Sequence, residues 1–245
     1  MRTLLKLSAA VIILFLFQTC DDLLESGREI KGSGNVIRIE QSIGEISNFQ
    51  FSNALEVFIV KGSQPSVALL IDDNFEEFLI MEEHSDYLEI GLDPENSYRD
   101  YTFRADIIVP ELEEITGSGA ILADISGFES FGKLTIELSG ASALKGDLIA
   151  AILDLSLSGA SSVNLEGECN RLDINASGAS SLQMKDFEAE EVEINLTGAS
   201  IATIYSNGSI SADLSGASIL NYLGNAEIVS LRSSGASLVN HISDP

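Results

Sequence analysis

Tryptophan is absent from the 245 residues, proline occurs four times, and cysteine and histidine twice each. Proline-rich linkers and broad aromatic platforms for single-stranded nucleic acid are thereby excluded. Positive charge is also scarce. Thirteen Lys and Arg face 38 Asp and Glu, a formal charge of -25, so a phosphate backbone is repelled and nucleic acid is not an expected partner. His84 and His241 lie far apart without a Cys/His cluster, and Asp72-Asp73-Asn74-Phe75-Glu76-Glu77 lacks the spacing of an EF-hand loop. No metal and no cofactor is expected. At 45% hydrophobic and 21% charged, the chain nevertheless has the means to bury a substantial core.

The first residues read as an address. Arg2 and Lys6 supply a positive start, Leu7 to Phe17 an apolar core, and Phe17-Gln18-Thr19-Cys20 a cleavage site. The apolar core is short for a membrane-spanning helix. It resembles a bacterial lipoprotein signal, in which the cysteine is lipidated and becomes the mature N-terminus; Thr19 departs from the usual Gly or Ala before that cysteine. Residues 1–19 are thus expected to be a signal peptide, Cys20 the lipidation site and membrane attachment, and 20–34 a polar tether. That places the mature chain, at -27 without Arg2 and Lys6, in the cell envelope, facing the periplasm or on the outer membrane. With Cys20 lipidated, Cys169 stands alone and no intramolecular disulfide forms. In Glu168-Cys169-Asn170 it reads as an unreactive thiol at a turn.

From Asn35 to about Thr116, short runs of period-two hydrophobicity (Val36, Ile37 and Ile39; Leu55, Val57 and Ile59; Val67, Leu69 and Ile71; Leu88, Ile90 and Leu92) are broken by Gly62-Ser63, Asp72-Asp73-Asn74 and Asp93-Pro94. These are strands and turns, with one helical turn competing over Asn74 to Glu83. Phe103, Ala105, Ile107 and Val109 make a last strand before Pro110.

Over 117–242 a tetrapeptide returns: Ser-Gly-Ala-Ser from Ser139, Ser158, Ser177, Ser215 and Ser234, Thr-Gly-Ala-Ser from Thr197, and a looser Ser118-Gly119-Ala120-Ile121. The glycines are spaced by 21, 19, 19, 20, 18 and 19 residues. With each glycine as origin, apolar residues fall six, four and two positions before it (Leu172, Ile174 and Ala176; Val192, Ile194 and Leu196), and a second inward run follows it (Leu144, Val163 and Leu182; Leu165, Met184 and Ile204). Each repeat is therefore two short strands with one buried face and a corner between. A single repeat cannot bury that face. Stacking can, which makes the chain all-β, a parallel β-helix with coils of about 19 residues, right-handed by the usual rule for parallel connections. At the corner, glycine supplies backbone freedom, Ala is expected inside the bend, and the serines are expected to donate to the next coil or a nearby carbonyl. Six-fold repetition, with no Gly-x-Ser-x-Gly and no His partner, argues against a nucleophile.

These features together resemble the putative auto-transporter adhesin, head GIN domain family of exported Bacteroidetes proteins, from Asn35 to about Ile242. Ala105-Asp106-Ile107-Ile108-Val109-Pro110-Glu111-Leu112, then Gly117-Ser118-Gly119, then the serial Ser-Gly-Ala-Ser units carry the likeness. It implies a right-handed parallel β-helix in the cell envelope and no catalytic motif.

The outward columns hold the remaining chemistry. Asp154, Asp173 and Glu193 occupy successive coils, a surface ladder that could bind calcium or serve a polysaccharide lyase or glycoside hydrolase. Basic residues near them are few, so the favoured reading is a non-catalytic adhesin-like or scaffolding module that shows a rigid surface to a glycan or an envelope protein. The short run after Gly235 leaves no cap, from which a homo-oligomer through the C-terminal coil, or a cap from another segment, is expected. His241 falls in the inward column and is expected to help close that end.

Overall fold

The computed structural model describes residues 27–129 and 132–243. The stretch read as a signal peptide, Cys20 and the first part of the expected tether lie outside them. Among the described residues, no helix is long and apolar enough to cross a membrane.

The chain winds into a parallel β-solenoid with one sharp corner per coil. Before the corner, strands stack in the order Leu88–Leu92, Asn48–Phe51, Glu114–Gly117, Lys133–Leu138, then 152–157, 171–176, 191–196, 209–214 and Glu227–Ser233. After it, they run Phe103–Val109, Glu56–Lys61, Leu122–Glu129, 143–150, 162–169, 181–189, 201–206, Ile219–Leu223 and Leu238–His241. Eight inter-strand steps of about 4.8 Å make a rod about 38 Å long. Leu172, Ile174, Leu182, Met184, Val192, Ile194, Leu196 and Ile204 are all buried, so the inward columns lie where the repeat alignment places them.

Between corners the strands are longer than the sequence suggests. The strand that leaves one corner runs on into the next as Ala143–Leu157, Ser162–Ala176, Ser181–Leu196 and Ile201–Leu214. These bend without breaking, through register shifts at 164–167, 184–188 and 189–191, each an extra-residue irregularity that turns a strand while leaving most of its ladder bonds intact. Cys169 accordingly sits within a strand and not at a turn, inward and buried between Ala150 and Ala189. Burial foremost, with Asp173 nearby, pushes its thiol up to about 12, so little of the reactive thiolate forms near neutral pH.

The corner itself differs from expectation in one respect. Ala141, Ala160, Ala179, Ala199 and Ala217 are exposed; the residue inside the bend is the serine that follows, Ser142, Ser161, Ser180, Ser200 or Ser218, each buried. A buried hydroxyl needs a partner, and each finds one within its own corner. Ser180 Oγ donates to the Ser177 carbonyl at 2.8 Å, Ser161 to Ser158 at 2.8 Å and Ser200 to Thr197 at 2.9 Å. The first of the repeats carries Ile121 at this position and simply fills it. The corner glycines from Gly140 onward take φ near +75° and Gly119 takes +93°, and the alanine N–H donates to the glycine carbonyl one coil earlier, as from Ala179 to Gly159 at 2.8 Å.

The N-terminal end is capped by strands of the opposite sense. Val36–Ser42 pairs antiparallel with Ser66–Asp72, which pairs antiparallel with Phe103–Val109, while Leu79–Glu83 folds back on Leu88–Leu92. The helical turn is realised as a short 3-10 helix, Asp73–Phe78, whose Phe75 packs edge-on against Tyr98 at 5.1 Å and tilted against Tyr101 at 5.2 Å. Glu29–Lys31, within the stretch read as a tether, forms a small strand beside Ser97–Arg99. Asp72 is buried here, accepting from the Gly34 and Thr102 amides, and so ties the entering chain to the cap.

Candidate functional site

Two outward surfaces have chemistry that could serve a partner. The first is the carboxylate ladder. Asp154, Asp173 and Glu193 do fall side by side, since Asp154 pairs in register with Asp173 and Asp173 with Glu193. They are not left free. Lys133 Nζ lies 2.5 Å from Asp154, and Arg171 reaches three carboxylates at once: Asp173 at 2.9 Å, Glu191 at 3.1 Å and Glu193 at 2.8 Å.

Two cations thus hold every rung, and both are bound more firmly to their protons as a result. The hydrogen bond and charge of Asp173 raise the Arg171 guanidinium further, and the hydrogen bond to Asp154 raises the Lys133 ammonium. A lyase would need a base that has already given up its proton, which these two cations do not supply. The ladder turns one oxygen of each carboxylate to arginine or lysine, and Asp173 Oδ1 is buried with no hydrogen-bond partner among the described residues. Among the described residues no group of three or more Asp, Glu, His or Cys is arranged to hold a metal ion. His84 stacks on Tyr87 at 4.3 Å with Glu89 at 3.4 Å, at the capped end, whereas His241 stacks on Tyr222 at 4.6 Å and meets the Gly224 carbonyl at 2.8 Å at the other.

The second surface was not evident in the sequence. On the outer face of the after-corner stack, Glu56–Lys61, Leu122–Glu129 and the strands that follow form a groove of about 390 Å³ floored by Phe58, Leu122, Ala143 and Ser162, with Asp124, Lys145 and Asn164 along it. Outward positions alternate with the buried Val57, Ala123, Leu144 and Val163, so the groove follows from strand pleat alone. Leu122 is 57% exposed. Arg104 lies over the Phe58 ring at 4.1 Å, a cation–π contact, and is itself paired with Asp106 at 2.7 Å. Lys145 reaches Asp124 across one coil at 3.0 Å. Further along the same face the column becomes amides and hydroxyls, with Asn240 donating to Asn221 at 3.0 Å and Asn221 to Thr203 at 3.5 Å. The signal that could have found it is Leu122: an apolar residue one place off the inward column, one coil from Phe58.

Over residues 47–226 the sequence matches the family described as putative auto-transporter adhesin, head GIN domain. A search of functionally curated proteins finds no match. Among solved structures, a protein of Bacteroides fragilis called a putative adhesin superposes with a TM-score of 0.82 at 20% identity, covering 87% of this chain and 100% of its own. A putative adhesin of Parabacteroides merdae (TM-score 0.69, 18% identity, 88% and 100% covered) and a protein of Parabacteroides distasonis called a putative lipid binding protein (0.67, 20%, 88% and 100%) are similar too. At these identities the likeness is one of fold.

Proposed function

Since the chain belongs to the putative auto-transporter adhesin, head GIN domain family, we propose that it is a non-catalytic, adhesin-like module of the cell envelope, lipid-anchored at Cys20, whose outer groove holds a neutral glycan chain. The observation that carries this reading is the groove at Phe58, Leu122, Lys145 and Asn164. Sugar rings have apolar C–H faces and hydroxyl rims, and the groove combines an aromatic and an aliphatic floor with amide, carboxylate and ammonium groups at the sides. One coil advances about 4.8 Å, comparable to one sugar unit of an extended chain, so successive coils can meet successive rings. The charge of -25 disfavours acidic glycans and leaves neutral ones. The paired ladder supports the non-catalytic half of the proposal.

The test is an array of neutral and acidic envelope glycans, with isolated envelope proteins alongside, probed with the native sequence, with Leu122→Lys and with Asp173→Asn. Retention of neutral glycans that Leu122→Lys abolishes and Asp173→Asn leaves intact is expected. Retention of protein alone would overturn the glycan assignment, and polysaccharide cleavage lost with Asp173→Asn would overturn the non-catalytic one.

A further inference from the structure

The outer face of the after-corner stack continues well past the groove. From Lys145 the pairing register runs without a shift through Asn164, Gln183, Thr203, Asn221 and Asn240 in one outward row, and from Ala143 through Ser162, Ser181, Ile201, Ile219 and Leu238 in the row beside it. Beyond Lys145 neither row holds an Asp, Glu, Lys or Arg, although 21% of the chain is charged. The first charges in Ser162–Ala176, Ser181–Leu196 and Ile201–Leu214 come later, at Glu166, Lys185 and Asp213. The register shifts at 164–167 and 184–188 also fall beyond the two rows. The result is a straight, uncharged lane on a strongly acidic rod.

The two rows differ in chemistry. One is amide and hydroxyl and the other small or aliphatic, so each coil sets a hydrogen-bonding group beside a surface on which C–H bonds can lie. The exposed Asn164 and Gln183 side chains make no hydrogen bond among the described residues, which leaves their donors and acceptors to solvent or a ligand. Further along, Tyr205 follows Thr203 by two residues on the same strand and therefore shares its outward face. Its hydroxyl accepts from Asn207 Nδ2 at 3.1 Å, and the same amide donates to Glu188 at 2.8 Å. The ring is held in place beside the lane.

We propose that the groove is one part of a longer site, and that its ligand is an internal stretch of a linear, neutral polysaccharide laid along this lane with Tyr205 as a second platform. The proposal rests on the glycan reading of the groove. Phe58 and Asn164 are three inter-strand steps apart, about 14 Å, and Phe58 and Tyr205 five, about 24 Å. At about one sugar unit per step, a chain of about three units fills the groove alone and one of about six reaches Tyr205. Exposed Glu166 and Glu188 border the lane, so an acidic chain is repelled where a neutral one can lie.

Calorimetric titration of the purified full chain in a mild detergent, with linear neutral gluco-, manno- and xylo-oligosaccharides of about two to eight units, tests this. Affinity is expected to rise about tenfold or more between about three and about six units. With Gln183→Ala and Tyr205→Ala combined, the six-unit chain is expected to fall back to the affinity of the three-unit chain, with an unchanged circular dichroism spectrum. Tyr205→Phe keeps the ring and is expected to keep the rise. Equal affinity for short and long chains, or a rise that survives the double substitution, would overturn the extended site and leave the groove reading standing. Failure to bind a neutral chain of any length would overturn both.

Discussion

Replacing a corner glycine in mid-rod tests the coil-on-coil contact directly. Gly178 has φ +75°, and a Cβ placed there would lie 2.4 Å from the carbonyl oxygen of Gly159 in the preceding coil. Gly178→Ala therefore meets two costs. The left-handed conformation costs an L-residue about 1–2 kcal/mol. Relieving the contact requires the coils to part by most of an ångström, stretching the adjacent Ala179 to Gly159 hydrogen bond beyond its 2.8 Å and forfeiting about 1 kcal/mol. Reduced freedom of the unfolded chain returns about 0.4–1 kcal/mol. The net is a loss of about 1–3 kcal/mol, or a Tm lowered by several degrees at about 2–4 °C per kcal/mol for this length. Urea unfolding followed by circular dichroism measures it, with Ala179→Ser, at an exposed position, as a control expected within about 0.5 kcal/mol of the parent. Asn separates the two costs, because it tolerates positive φ but still carries a Cβ. If Gly178→Asn is neutral while Gly178→Ala is not, only the dihedral matters and the close-contact argument fails; if Gly178→Ala is itself neutral, both do. Gly235→Ala, in the last coil, is expected to cost less, since a terminal coil can fray without unfolding the rest.

Three other outcomes follow from the same structure. Ser180→Ala removes the hydroxyl that satisfies the Ser177 carbonyl and is expected to cost about 1 kcal/mol in urea unfolding. Arg171→Ala releases Asp173, Glu191 and Glu193 to repel one another; the loss of stability is expected to be small, visible at low salt and absent in molar salt. Cys169 should resist thiol reagents at pH 8 until the protein unfolds. Its folded pKa, pushed up to about 12, exceeds the ordinary thiol value of 9.0, so the unfolded chain loses this proton first, and stability should fall as pH rises between those values. Cys169→Ala should flatten that part of the stability–pH profile.

The repeat was legible because two constraints recur in every coil. A positive φ at each corner demands glycine, and strand pleat demands apolar residues at alternate positions such as Leu172, Ile174 and Leu182. The groove was hidden because nothing repeats there: Phe58, Leu122, Lys145 and Asn164 are each ordinary outward residues, and only the pairing register makes them neighbours. Assigning Ala to the inside of the bend failed for a related reason. Ala and Ser are both small, and size alone does not say which is buried; the decision rests on a hydroxyl bonding back to its own corner. Arg171 similarly reads as a lone charge in sequence, although its place in the column of Glu191, beside the column of Asp173 and Glu193, converts the ladder from an open acidic row into a paired one.

The stacking order near the N-terminus also governs how the protein can be made. Asn48–Phe51 and Glu56–Lys61 are flanked on one side by Leu88–Leu92 and Phe103–Val109 and on the other by Glu114–Gly117 and Leu122–Glu129. The first segment to be synthesised in that coil therefore has no permanent neighbour until about 40 further residues have followed it, and lacks the second until about 66 have. Winding from Lys133 onward can proceed coil by coil, each new turn finding its template already in place. The early coil cannot. Assembly of this rod is thus expected to wait for a single long-range closure, and a ribosome pause or proteolytic cut between residues 62 and 110 should be far more damaging than one after residue 209.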